Sequence, residues 1–254
     1  ALNNSIVEKQ QNTPQTLYQK AFDLLESDLY PDAISKFNDL RHKYPYSSWA
    51  HLAQLRIGDA HFEQGQFIEA INDYNNFIKY YPNHKQVVYA MLKIADSWAE
   101  QMPNDWWFLP SSAEKDQANV KRAINAYNRV LNRFADHELA EKAAQQIVIC
   151  RTKLAEHELY VANFYYSRNK PKAALMRTDV VLNQYKDLKL ADRALLLAAK
   201  SHYKLGDSKQ ACNSLSSIIN KHPDSKTVDS AKNLHKTYSC SVDIKIDNSE
   251  NSKS

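Results

Sequence analysis

The chain has 254 residues, 43% of them hydrophobic, with 33 Lys+Arg against 29 Asp+Glu and a formal net charge of +4. That length can bury a proper core, and a near-balanced charge without a long basic run excludes nucleic acid as the expected partner. Only 3 glycines occur, against an average usage of about 7%, so the expectation is helices joined by short turns, with no glycine-rich phosphate cradle.

The opening "ALNNSIVEKQQNTP" is polar and lacks the apolar centre of a signal peptide. It fits a cytosolic protein or an exported one in mature form, and residues 1–13 read as a disordered linker. No stretch approaches the ~20 consecutive apolar residues of a spanning helix.

The first helical pattern, "TLYQKAFDLLESD", carries Leu17, Ala21, Leu24 and Leu25 at helical spacing, and "PDAISKFNDLRHKYP" follows it. "HLAQLRIGDAHFEQ" and "IEAINDYNNFIKYYP" repeat the pair. Ala33, Ile34, Phe37, Leu40 and Pro45 fall on Ala70, Ile71, Tyr74, Phe77 and Pro82, every offset being 37. The third pair, "YAMLKIADSWAEQ" and "KRAINAYNRVLNRFA", sets Ala123, Ile124, Tyr127 and Val130 on the second at an offset of 53.

The excess of 16 places an insertion inside the third hairpin, over residues 101–117. It holds Trp106, Trp107 and Phe108, and long loops in compact repeats are usually functional or disordered. Two readings stand: the aromatics fold back over the repeat's own apolar surface, or they offer a docking surface to a protein partner, where tryptophan is enriched.

The fourth pair, "ELYVANFYYSRN" and "PKAALMRTDVVLNQYK", has its anchor Ala174 51 residues after Ala123. The 14 additional residues contain neither proline nor glycine, and predict one long or kinked helix from about Leu139 to Arg168, a stiff joint between the third and fourth pairs. "ALLLAAKSHYKL" and "SKQACNSLSSIINKHP" bring Ala211 a further 37 on. Small residues Ala21, Gly58, Ala162 and Ala199 stand twelve before their anchors, and Ala95 does so once the insertion is discounted. A small residue there lets two helices approach closely, and proline after the second helix ends it.

This is similar to the tetratricopeptide pattern, here from Thr16 to about Lys236. The expected architecture is all-α, an α-solenoid of five tetratricopeptide-like helix pairs: repeats one to three over 14–138, the long helix with repeats four and five over 139–238, and a disordered tail over 239–254. Cys150 and Cys212 lie on predicted helices. Cys240 is in the tail, and whether it reaches Cys212 is left open, since sequence does not supply geometry.

The usual signatures of catalysis and metal binding are missing. No G-x-S-x-G, P-loop or C-x-x-C occurs, and "HELAE" at His137 and "HELYV" at His157 lack the second histidine of a zinc-protease helix. No catalytic residue, metal site or cofactor is expected, and such a chain works by surface. In the tetratricopeptide pattern the first helix of each pair lines a groove, which would present Tyr18, Phe22, Asp59, Phe62, Tyr89 and Asp96. Aromatics with acidic points suit an extended peptide carrying aromatic and basic side chains; alternatively Phe22 and Phe62 pack between repeats.

The fourth unit is more specific. "LAEHELYVANFYYSRNKPKAALMR", through Leu154, Ala155, Glu158, Val161, Ala162, Tyr165, Arg168 and Arg177, resembles the BamD (ComL) family of outer-membrane β-barrel assembly lipoproteins, as does the "RHKYPYS" turn with Tyr44. The resemblance implies a periplasmic scaffold tethered by an N-terminal lipid to the Gram-negative outer membrane. Its C-terminal repeats would dock on the BamA-like POTRA domains of the barrel-forming subunit, with Arg177 at that contact and Arg168 as a further partner-binding position. Its N-terminal repeats would meet unfolded outer-membrane barrel substrates, and other barrel-assembly lipoproteins would join it. The lipid-bearing cysteine that starts the mature family chain is absent here, where position 1 is Ala. The alternative from another class is a generic tetratricopeptide peptide-binding adaptor of the envelope or cytosol.

Overall fold

The computed structural model describes residues 12–102 and 113–240. Among them every regular element is helical, in the order α1 (Pro14–Glu26), α2 (Tyr30–Lys43), α3 (Ser48–Glu63), α4 (Phe67–Tyr80), α5 (Val87–Glu100), α6 (Ala113–Arg133), α7 (Glu138–Ser167), α8 (Pro171–Gln184), α9 (Ala191–Lys204), α10 (Ser208–Lys221) and α11 (Val228–Thr237). The first ten form the five pairs of an α-solenoid of tetratricopeptide type. α6 begins inside the 101–117 stretch read as loop, and α11 is a further helix beyond the fifth pair.

Local chemistry sets the ends. Thr13 caps α1 by accepting the Thr16 N–H, Ser47 caps α3 through the Ala50 N–H, and Asp207 caps α10 through the Gln210 N–H. Proline stands in the first turn of α1, α2 and α8, where its missing N–H costs nothing. Tyr44, Tyr81 and His222 end α2, α4 and α10, each just before a proline, which disfavours continued helix.

The turns inside four of the hairpins share one backbone device. Asp28, Gly65, Asn169 and Gly206, each five residues before its anchor alanine, all have positive φ, between 57° and 80°. Glycine adopts that conformation without strain, and Asp and Asn tolerate it best among the rest.

The register alanines 33, 70, 123, 174 and 211 are all 0% exposed, as are Ala21, Ala95, Ala162 and Ala199. At Gly58, in the same small-residue series, an added Cβ would lie 2.8 Å from the Tyr74 ring. Helix contact at those points is therefore limited by side-chain size. Around them pack Phe37, Leu40, Tyr74, Phe77, Tyr127 and Val130, each at most 1% exposed. Truncating one such aromatic to alanine typically costs about 3–5 kcal/mol.

The described chain forms two compact units, with the boundary between Cys150 and Arg151 inside α7. In the first, α1 packs on α2 and α3, and each helix to α6 packs on the next. In the second, α8 packs on α9, α9 on α10 and α10 on α11. Cys212 of α10 is joined to Cys240 by a disulfide, with Cα atoms 5.5 Å apart, while Cys150 is buried in α7. The disulfide ties down the residues after α11, and Tyr238 stacks on Tyr203 at 3.6 Å between ring centroids.

Candidate partner-binding surfaces

In the first unit the functional candidates gather about a residue the sequence reading did not single out, Arg56. It stands one turn before Asp59 on α3, so the two share a helix face. Its Nη1 meets Asp59 Oδ2 at 2.6 Å, and its Nε donates to the Tyr18 hydroxyl at 3.2 Å. The guanidinium lies 5.6 Å from the Phe22 ring centroid and 5.9 Å from that of Tyr89, within cation–π range.

Asp59 is 7% exposed, and an unpaired carboxylate there would be costly. Its Oδ1 accepts from the Tyr74 hydroxyl at 2.7 Å and the Tyr89 hydroxyl at 3.0 Å. Burial, then the Asp59 charge, pushes both phenols well above the usual range, so they remain donors. Burial lowers the Arg56 pKa, but Asp59 and Tyr18 more than offset it, and the guanidinium is held in its charged form. Asp59 is thus an internal acceptor fully engaged by its own chain, rather than an open acidic point on a groove. The pairing of Arg and Asp at i, i+3, with tyrosine four after the anchor alanine, was the available signal.

The third repeat builds a looser version. Asp96 Oδ1 accepts from Tyr127 at 2.7 Å, and Lys142 approaches Oδ2 at 3.7 Å. Burial is again the main reason the Tyr127 phenol is raised, with Asp96 next. Phe62 carries the Lys93 ammonium 3.8 Å from its ring centroid and meets Phe67 edge-on. Of the six groove residues, then, Tyr18, Phe22, Asp59 and Tyr89 surround Arg56, Phe62 faces Lys93, and Asp96 serves Tyr127. Tyr44 holds the residue just before the α1 cap, its hydroxyl donating to the Asn12 carbonyl at 2.5 Å.

In the second unit, Arg177 of α8 is positioned by Glu158 of α7, Nη1 to Oε2 at 3.1 Å. The acid is almost buried, its side chain 11% exposed, whereas the arginine side chain is 43% exposed. A buried anion thus fixes a half-exposed cation. Two turns before Glu158 on α7, Arg151 binds the Asp187 carboxylate and the Gln184 carbonyl. Burial raises the Tyr185 phenol, the Glu158 charge adds to this, and Arg151 opposes it. Arg168 makes a separate contact, 5.2 Å from the Phe164 ring centroid. Trp106, Trp107 and Phe108 lie outside the described residues. No cluster of three or more His, Cys, Asp or Glu suited to a metal occurs among the described residues.

The outer membrane lipoprotein family YfiO matches residues 10–217 of this chain. Among curated relatives, the outer membrane protein assembly factor BamD of Caulobacter vibrioides is 26% identical over 78% of this chain, which spans 62% of that relative's length. The protein of the same name from Vibrio cholerae is 25% identical, over 76% of this chain and 81% of its own. That of Rickettsia prowazekii is 25% identical, over 88% and 86%. Among solved structures, a tetratricopeptide repeat protein of Thermus thermophilus shares 11% identity at a TM-score of 0.37, covering 89% of this chain and 98% of that one. With a match that runs from the residues before α1 into α10, the chain belongs to the YfiO family of outer membrane lipoproteins.

Proposed function

We propose that the protein is a non-catalytic scaffold subunit of the machinery that assembles β-barrels into the Gram-negative outer membrane, held at its periplasmic face by an N-terminal lipid. The second unit docks on the POTRA domains of a BamA-like barrel-forming subunit. The first unit, with the aromatic surface about Arg56, meets unfolded barrel substrates or partner peptides, and Trp106, Trp107 and Phe108 bind a partner as well. Other barrel-assembly lipoproteins join it.

The observation that carries the reading is Arg177. A guanidinium fixed by the buried Glu158 and still 43% exposed has its geometry set before a partner arrives, so less side-chain entropy is lost on binding. Arginine in that state suits a carboxylate on the partner. Arg168 supplies a second exposed cation. The Cys212–Cys240 disulfide favours an oxidising compartment such as the periplasm.

The reading is tested by depleting the protein in its native cell. Outer-membrane barrel proteins should then accumulate unfolded in the periplasm, and wild-type chain supplied in trans should restore their assembly. Normal barrel assembly after complete depletion would contradict the function.

A further inference from the structure

Repeats four and five are related by an offset of 37, so corresponding positions on α7 and α9 are paired by the register. Two such pairs are Glu156 with Arg193, and Asn163 with Lys200. Both line one cavity of about 330 Å3 in the second unit, at the small end of the ~300–1,000 Å3 typical of ligand pockets. Leu159, Leu196 and Leu197 are its apolar lining, and Tyr160 adds a ring and a hydroxyl. Arg177, on α8, is not part of it.

The first unit uses the positions equivalent to Asn163 and Lys200 differently. There they are Asp59 and Asp96, bound by tyrosine hydroxyls of their own repeats. In the cavity no hydrogen bond or ion pair from the described residues reaches the Lys200 ammonium, the Asn163 amide or the Tyr160 hydroxyl. Arg193 meets Glu156 at 3.4 Å, with both side chains about half exposed, a pair that contributes little and exchanges readily. Two cations thus face one anion in the lining, with Tyr160, Asn163 and Thr227 as further polar groups, the last already donating to Asp192, and a leucine wall beside them.

We propose that this cavity is a binding site for an acidic, leucine-bearing segment of a partner protein. The partner's Asp or Glu carboxylate is taken by Lys200 and Asn163, and its neighbouring apolar side chain lies on Leu159, Leu196 and Leu197. Charge complementarity selects the carboxylate: a basic segment would face Lys200 and Arg193. The leucine wall selects a peptide over a free inorganic anion. The site is separate from the docking contact assigned to Arg177, and each stands without the other.

The test uses the full chain and a fluorescein-labelled peptide of alternating leucine and glutamate, read by anisotropy. Saturable binding is expected, weakened by added salt as screening requires. The same peptide with glutamine for glutamate should bind at least about tenfold more weakly, the equivalent of one charge-assisted hydrogen bond. Lys200→Met, which keeps most of the stem, should lose a similar factor with the thermal unfolding midpoint unchanged. Tyr160→Phe, removing only a hydroxyl, should lose less. Lys200→Glu should reverse the preference toward a leucine–lysine peptide. Equal binding of the glutamate and glutamine peptides, full binding by Lys200→Met, or no binding of the glutamate peptide at millimolar concentration would each overturn the proposal. If sodium acetate displaces the peptide at equal concentration, the site reads an anion and not a segment, which also overturns it. Arg177→Met should leave this binding intact, so failure here is distinguishable from failure of the Arg177 contact.

Discussion

The Tyr74 hydroxyl donates to Asp59 Oδ1 at 2.7 Å, and the same ring lies so close to Gly58 that an added methyl would stand 2.8 Å from Cε1. One aromatic side chain therefore measures the distance between α3 and α4 and satisfies one oxygen of a buried carboxylate between them, whose charge Arg56 balances.

Gly58→Ala follows directly. Alanine favours helix over glycine by about 1 kcal/mol, but Tyr74 is 0% exposed and hydrogen-bonded, so the ring cannot yield and overpacking costs about 1–3 kcal/mol. We expect a net loss of about 1 kcal/mol in urea unfolding. A gain would mean that the helices separate freely there.

Asp59→Asn should cost more, about 3 kcal/mol, because it leaves Arg56 largely buried without its counter-charge. Tyr74→Phe removes one of three donors and should cost about 1–2 kcal/mol. Because both act on one network, the double variant should lose less than the sum. Additive losses by denaturant titration would contradict the network.

The turn residues give paired expectations of opposite sign. Nothing lies within 4 Å of a Cβ built on Gly65 or Gly206, so the cost of alanine there is backbone strain alone, about 1–2 kcal/mol. Asn169→Gly relieves positive φ and should be neutral to slightly stabilising, by a few tenths of a kcal/mol at most. Thermal unfolding of the three variants checks this.

Cys212 and Cys240 close a loop with a sequence separation of 28, for which chain entropy predicts about 3–4 kcal/mol. Reduction by dithiothreitol, or the Cys212→Ser variant, should lower the unfolding midpoint of the second unit and release Tyr238 from Tyr203, visible in near-ultraviolet circular dichroism. The first unit should be unaffected.

Acid should loosen the second unit at its turns. The Arg151 hydrogen bond holds the Asp187 carboxyl below its usual range. At Asp192 burial works upward, yet hydrogen bonds from Ser225, the Arg193 backbone and Thr227 outweigh it and hold that carboxyl low as well. Folded values below the unfolded value of 3.8 give stability that is present above that pH and lost as pH falls through the lowered folded values. Hydrogen exchange in the 184–193 turn should accelerate below about pH 4; a rate controlled for intrinsic exchange and flat down to pH 2 would contradict it.

Much of this was readable from spacing. The anchor alanines recur because a position that touches a neighbouring helix backbone admits no larger group, and that constraint is local enough to leave a sequence period. Glycines 65 and 206 stand at two hairpin turns, while Asp28 and Asn169 show that the position asks for positive φ rather than for glycine. The role of Arg56 was not readable in full, since Tyr18, Phe22 and Tyr89 meet it from two other helices while Tyr74 reaches its partner Asp59 from a third, and no period records that convergence. Asp59 looked like a groove acid for the same reason. The cavity at Lys200 and Asn163 leaves no mark in the sequence because neither residue is unusual alone; only their pairing across α7 and α9 makes a site.

The most direct measurement is the affinity of the full chain for the POTRA domains of the barrel-forming subunit, by titration calorimetry, for wild type and for Arg177→Met. Wild type should bind, and the variant, still folded at the assay temperature although destabilised because Glu158 loses its counter-charge, should bind at least about tenfold more weakly, the worth of one positioned charge-assisted hydrogen bond. Equal affinity of the two proteins would contradict the account.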